Sequence, residues 1–230
     1  MANAPRTVWV ESEQSAVTDS MITSHAPSNT FRFTPLSGSA IAARVGDLAR
    51  LRIAVFREFP YLYDGSEDYE RRYLQTYVDS PRSLVVLVHD ADVLVGATTG
   101  LPLADETEEF QRQFLRSGYV LERVFYCGES VLDPRYRGRG VYKHLFAARE
   151  AHARTLGGFD WCAFCAVQRA PDHPLRPPGY QPLNAVWQHF GYTEQPALET
   201  TFTWQDVDCA PPTAKPMRFW LKALGAERAA

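Results

Sequence analysis

Six consecutive residues of this 230-residue chain combine backbone freedom with clustered positive charge: Arg135-Tyr136-Arg137-Gly138-Arg139-Gly140. Glycines let a backbone approach a ligand closely. The apolar run before them ends at Leu132-Asp133-Pro134, and apolar Val141, Leu145, Phe146 and Ala148 follow at helical spacing. A turn that feeds a helix offers unpaired N–H groups and the positive end of the helix dipole. Such a site suits a pyrophosphate. A second point of chemistry is Glu129, flanked by Gly128 and Ser130 inside an apolar run. A carboxylate there is costly unless it is paired or functional. An ion pair with an arginine, an outward-facing side chain, and a role as base or substrate ligand all fit. A third is the segment FPYLYDGS at 59–66, where Tyr61, Tyr63 and Asp64 suit a polar or cationic partner or a packed aromatic loop. His173, alone in a Pro-rich stretch, reads as an exposed loop residue.

The elements that must hold these residues follow from periodicity. Residues 31–34 begin a first strand, and 35–39 form a turn. A helix over 40–58 carries Leu48, Leu51, Ile53, Val55 and Phe56 and stops at Phe59-Pro60. A second helix covers 67–77. Residues 83–89 and 93–103 form a hairpin closed at 90–92. A helix starts near Thr107, whose first-turn Glu108 and Glu109 read as solvated charges. Residues 124–132 read as one strand, 138–155 as a helix closed by Gly157-Gly158, and 160–167 as another strand. The four prolines of 168–181 impose a loop. A short helix at 182–190 stops at Gly191, and 200–204 and 217–221 are closing strands. This order predicts an α/β sheet with a parallel pair near its middle.

Composition narrows the classes. The chain is 45% hydrophobic and 22% charged with a formal net charge of −3, which suits a globular core and argues against a general nucleic-acid or membrane-surface binder. Residues 1–30 lack a basic stretch followed by an apolar one and read as a poorly ordered extension. One short extended piece is expected at 7–10. Residues 31–225 are expected to form a single domain. Of the four cysteines, Cys127, Cys162 and Cys165 lie in apolar runs and Cys209 does not. Cys162 and Cys165 have zinc-ligand spacing, yet on a strand they point to opposite faces, so no metal is expected. A disulfide scaffold is not expected at this size, so a reducing cytoplasm is the expected location.

The pyrophosphate turn excludes two familiar ligands. No Lys-Ser or Lys-Thr follows the glycines, against a P-loop. The turn follows the fourth strand and lacks G-x-G-x-x-G, against a dinucleotide fold. Coenzyme A is the third possibility. Here Arg135–Gly140 resembles the R/Q-x-x-G-x-G/A turn of the GNAT acyltransferase superfamily. Val131-Leu132-Asp133-Pro134 is similar to the end of that family's fourth strand, and Phe190-Gly191-Tyr192 to its usual aromatic-glycine ending. With the element order, the resemblance covers about five-sixths of the chain. It implies a mixed, mostly antiparallel sheet with a splayed parallel strand pair and helices on both faces.

The resemblance also implies roles. Acetyl-CoA would be the co-substrate, its pyrophosphate wrapped by N–H groups over 137–141, with Arg135, Arg137, Gly138, Arg139, Gly140 and Val141 around it. Its pantetheine arm would pair with backbone at Ser130 and Leu132, and the Leu132 N–H would serve as oxyanion donor. Glu129 would take the proton of an amine nucleophile. Tyr61, Tyr63 and Asp64 would shape the acceptor site. The chain departs from the family at Trp187, where many members have a Tyr that protonates the leaving thiolate. Tyr180, or Tyr192, is the substitute expected here. Tyr142 stands where many members have a small residue. The implied activity is transfer of an acyl group, most simply acetyl, to an amine of a small molecule or a protein, by a monomer or homodimer without nucleic acid or membrane. A non-catalytic CoA-binding sensor of the same fold is the alternative that Trp187 keeps open.

Overall fold

The computed structural model describes residues 31–225, so the extension at 1–30 lies outside the described residues. The chain opens with β1 (Phe31–Leu36), which runs through Pro35 and so extends past the expected turn. Proline is tolerated because β1 is an edge strand, paired on one side only with β2. A 3-10 turn over Gly38–Arg44 leads into α1 (Val45–Phe56). Ser66 caps α2 (Glu67–Asp79) by accepting from the Tyr69 N–H at 3.4 Å, and Glu67, Asp68 and Glu70 in its first turn complement the dipole. The hairpin of β2 (Leu84–Asp90) and β3 (Val93–Pro102) is buried on both faces, which explains its unbroken apolar run.

Thr107 stands at the N-cap of α3 (Glu108–Arg116), but its hydroxyl makes no capping bond. The expected strand over 124–132 is two: β4 (Val124–Tyr126) and β5 (Ser130–Leu132). Gly140 and Gly157 bound α4 (Val141–Leu156). β6 (Trp161–Val167), α5 (Asn184–His189), β7 (Thr193–Trp204) and β8 (Thr213–Ala223) complete the chain. β7 starts seven residues before the expected strand. Pro196 and a register shift between Gln195 and Glu199 break its pattern, which an edge strand can absorb.

The sheet order is β1-β2-β3-β4-β6-β8-β7, with β5 beside β3. Every pair is antiparallel except β4 with β6, which the crossover through α4 makes parallel. Two cores form. One holds Leu48, Leu74, Tyr77, Phe114, Tyr126 and Val131, joining α1, α2 and α3 to one face. The other holds Phe125, Phe146, Phe164, Tyr192 and Trp220, joining α4 to the opposite face. At ~1.5–3 kcal/mol for each large apolar side chain buried, these rows outweigh any single surface contact. On β6, Cys162 belongs to the second core and Cys165 packs against the first, so the two sulfurs face apart.

Candidate active site

The sheet opens where β4 ends. Phe125 and Tyr126 lie in register with Cys162 and Ala163, and the last rung is the Cys127 N–H to the Ala163 carbonyl at 2.7 Å. Beyond it β5 stays with β3 while β6 stays with β8. The side-chain pattern records the break. Tyr126 and Glu129, three residues apart, lie on the α1–α2 face, where strict alternation would separate them. Gly128 sits at the bend because the Tyr77 hydroxyl and Thr99 occupy the space a Cβ needs. A cleft of about 100 Å³ fills the opening, lined by residues 127–130, Phe164, Cys165 and Trp187 among others.

Backbone groups line one side of this cleft. The Glu129 carbonyl accepts from the Thr99 N–H at 3.0 Å, and the Asp133 N–H donates to the Val95 carbonyl at 2.8 Å. Residues 129 and 133 therefore face β3, and by alternation the amides and carbonyls of Ser130 and Leu132 face the opening. The Ser130 side chain points to the α4 face. There its hydroxyl accepts from Arg149 at 2.8 Å and meets the Thr98 hydroxyl at 2.9 Å. The Leu132 side chain is buried with Val88, Val95 and Leu145.

The arginine–glycine turn follows directly. Gly138 and Gly140 have φ of 76° and 78°, and a Cβ at either would meet no atom within 4 Å. The glycines are thus required by conformation and leave open space over the turn. No side chain caps α4, so its first N–H groups remain available to a ligand. Asp133 accepts from the Arg135 amide at 3.0 Å and pairs with its guanidinium at 2.6 Å. Arg137 reaches Glu58 at 3.1 Å, tying the turn to the end of α1, and Arg139 lies over the Tyr136 ring. This open, donor-rich turn fits a diphosphate, and the backbone at Ser130 and Leu132 fits an extended amide-bearing arm.

On the other side of Glu129 lies a larger cavity of about 560 Å³. The two cavities share Phe56, Tyr61, Gly128, Glu129 and Cys165. Glu129 is buried and ion-paired with Arg52 of α1, which also pairs with Glu70 of α2. The guanidinium lies over the rings of Phe56 at 5.1 Å and Tyr73 at 4.5 Å. Burial alone would lower its pKa, but the two carboxylates raise it well above its ordinary value. Arg52 is therefore a permanent cation, and Glu129 Oε1 accepts no hydrogen bond from the protein. Glu106 is a third buried carboxyl on this face, after Glu129 and Glu70. One oxygen accepts from the Thr107 N–H at 2.8 Å, the other has no partner, and burial pushes the group up to about 7.

The remaining expected residues divide. Tyr61 and Tyr63 line the large cavity, and burial raises both phenols. Asp64 lines neither cavity; it pairs with Arg57 at 2.7 Å, with both side chains exposed. Tyr180 also lines neither and packs edge-on against Phe59 at 4.7 Å. His173 is half-buried against Phe59. Tyr192 is a core residue between Phe146 and Phe164. Trp187 lines the small cleft and packs on Phe164 and Trp220, while Tyr142 fills part of the same cleft. Burial pushes the Cys165 thiol up to about 12, so it offers little thiolate near neutrality.

Several site residues escaped the sequence reading: Arg52, Glu70, Glu106 and Arg149. A signal existed. Leu48–Arg52–Phe56, Glu70–Leu74 and Leu145–Arg149 put a charge where an i, i+4 apolar stripe continues, and such a charge is buried and must find a partner. Arg169 escaped for another reason. It lies outside any periodic element, yet it pairs with Asp206 at 2.8 Å and donates to the Pro60 and Tyr61 carbonyls at 2.7 Å each. Lys215 completes the triad at 3.3 Å from Asp206.

Comparison with known proteins agrees with this geometry. The profile of the Acetyltransferase (GNAT) family matches residues 48–175, from α1 through the turn and β6. No curated protein matches the chain. Among solved structures, an N-acetyltransferase from Staphylococcus aureus Mu50 superposes with a TM-score of 0.53 at 10% identity, covering 84% of this chain and 99% of that one. Arabidopsis thaliana NAA60 in complex with acetyl-CoA gives 0.52 at 12% identity, over 84% and 98%. The yncA protein of Salmonella typhimurium, with its cofactor acetyl-CoA, gives 0.51 at 11%, over 86% and 96%. At such identities these likenesses establish the fold alone. The profile match spans more than half of the chain and includes the split strand and the glycine turn, so the chain belongs to the GNAT acetyltransferase family.

Proposed function

We propose that this protein transfers an acyl group, most simply acetyl, from CoA to an amine by direct attack on the thioester. The observation that carries the reading is the meeting of two cavities at Gly128–Glu129, one reaching Tyr142 in the first turn of α4 and the other lined largely by aromatic side chains. The CoA pyrophosphate sits on the N–H groups over 138–141, because the expected donor at Arg137 already bonds the Pro134 carbonyl at 3.1 Å. The pantetheine arm lies along Ser130 and Leu132, and the Leu132 N–H faces the thioester oxygen. Glu129, held in place by Arg52, accepts the proton of the incoming amine, directly or through water. The nitrogen attacks, the C–S bond breaks, and the thiolate leaves. A thiolate is a tolerable leaving group because the free thiol has a pKa of ~8.5. Trp187 supplies no proton, and Tyr180 lies away from both cavities, so the thiolate takes its proton from water.

Release of CoA thiol from acetyl-CoA across a panel of amines tests the activity. Glu129→Gln should cut turnover by ~10²–10⁴-fold while acetyl-CoA affinity is retained, and the loss should shrink as pH rises and the amine deprotonates unaided. Acetyl-CoA binding with no thiol release for any amine would instead identify a CoA-binding protein without the chemistry.

A further inference from the structure

The large cavity has a composition that the transfer reaction does not require. Nine of its twenty lining residues are aromatic. They come from separate elements: Tyr73 from α2, Phe110 from α3, Tyr126 from β4, and Phe202 and Trp204 from β7. Phe110 packs on Tyr126 at 5.0 Å and on Phe202 at 4.5 Å. Such faces bury an apolar body and attract a cation. The volume, about 560 Å³, is that of a small-molecule site.

Charge is arranged unequally. At Glu129 two carboxylates, Glu129 and Glu70, share the single guanidinium of Arg52. That leaves net negative charge and one buried carboxylate oxygen, Glu129 Oε1, without a donor, while Arg52 Nη1 is held by its ion pair with the other oxygen and makes no hydrogen bond. An unmet buried acceptor is costly, and an ammonium N–H supplies what it lacks. The other charged lining residues, Arg72 and Glu109, are both solvent-exposed. A carboxylate carried beside the amine would therefore meet Glu129 and Glu70 with Arg52 already engaged.

The wall of the cavity is also closed to an added strand. The Asp64 N–H donates to the Gln205 carbonyl at 2.9 Å, the Val207 N–H donates to the Leu62 carbonyl at 2.7 Å, and Tyr63 bridges to Asp206. The Trp204 indole N–H donates to the Tyr61 carbonyl at 3.0 Å. The backbone edges of the 61–64 loop are thus already used, so an extended peptide finds no edge there to pair with.

We infer that the acceptor is a small primary monoamine whose nitrogen is carried on an aromatic or compact apolar body, with no carboxylate next to the nitrogen. The ammonium end meets Glu129 and the body fills the space between Phe110, Tyr126, Phe202 and Trp204. This rests on the acyltransferase reading above, which it narrows to one class of acceptor.

The test compares four probes on the full chain with saturating acetyl-CoA: 2-phenylethylamine, phenylalanine, putrescine and a tetrapeptide with a free N-terminus. Thiol release gives kcat/KM, and calorimetry gives probe affinity separately. The expected result is a kcat/KM for 2-phenylethylamine at least about 100-fold above each of the others. Phe202→Ala should lower it at least about tenfold, chiefly through KM, with acetyl-CoA affinity unchanged. Phenylalanine, putrescine or the peptide matching 2-phenylethylamine in turnover overturns the inference and leaves the acyltransferase reading standing. Binding of 2-phenylethylamine that Phe202→Ala abolishes, without thiol release from any probe, supports the site's chemistry and overturns the acyltransferase reading. The absence of both binding and turnover of 2-phenylethylamine overturns the inference outright.

Discussion

Glu129 and Glu106 are two buried carboxyl groups on one face of the sheet, and their surroundings give them different tasks. Glu129 has a permanent cation against it. Glu106 has one backbone N–H and otherwise apolar or phenolic surroundings, so burial raises it from the usual 4.5 to about 7. A carboxyl raised on folding contributes stability that is fully present below its unfolded pKa and lost as pH rises through the folded one. Glu106→Gln keeps the acceptor for Thr107 and cannot ionise. The variant should match the wild type in stability near pH 4 and exceed it above pH 8, by about 3 kcal/mol at most. Denaturant melts at the two pH values measure this. A variant less stable than wild type at pH 8 would mean that the ionised form is stabilised by a partner. Arg52 is the opposite case: its removal strands Glu129 and Glu70 together, and Arg52→Met should cost about 3–5 kcal/mol at neutral pH.

Among the elements, the aromatic loop at 57–66 shows how a segment without regular structure becomes a fixed wall. Four hydrogen bonds from Arg169, one each to Pro60 and Tyr61 and two to Asp206, with Lys215 behind, hold it against the end of β7. Arg169→Ala leaves Asp206 with Lys215 alone and frees two carbonyls. It should raise the acceptor KM at least about tenfold and lower stability by up to about 3–5 kcal/mol, while acetyl-CoA affinity changes little because the turn lies on α4. Isothermal titration with acetyl-CoA and steady-state kinetics with the best amine separate the two effects. Equal losses in both would show that the loop supports the CoA cleft as well. The loop's Tyr61, Tyr63 and Asp64 suggested an acceptor wall, of which the two tyrosines line the cavity, but a chain without periodicity carries no record of the distant arginine that secures it.

For the whole molecule, the consequence of the split strand is that the sheet is held together below the cleft and parted above it. β5 belongs to the β1–β2–β3 half and the upper part of β6 to the β8–β7 half. A ligand lying in the cleft touches both halves and should stabilise the fold as a unit. At 100 times its dissociation constant, acetyl-CoA should contribute about 2.7 kcal/mol, which for a domain of this size is a rise of roughly 5–10 °C in Tm. Gly138→Asp places a negative side chain on a left-handed residue over the turn, removing close approach and favourable charge together. Its own fold should survive, since nothing stands within 4 Å of a Cβ there, but acetyl-CoA should no longer shift its Tm at concentrations that shift the wild type. An undiminished shift would move the pyrophosphate elsewhere.

Local patterns carried the element order, the glycine turn and the helix after it, because each depends on neighbours a few residues apart. The same is true of the two-faced placement of Cys162 and Cys165 and of the tyrosines of the loop. What tertiary structure alone decided is where the charges meet. Glu129 faces the α1–α2 side only because the bend at 127–129 breaks the alternation of its strand, and Tyr77 and Thr99 leave room only for a glycine at that bend. Arg52 comes from 77 positions earlier and Glu70 from 59. Arg169 reaches back more than a hundred residues to Pro60 and Tyr61. Side-chain parity and ion pairing across such distances depend on how strands splay and helices dock. Residue spacing along the chain does not encode either one.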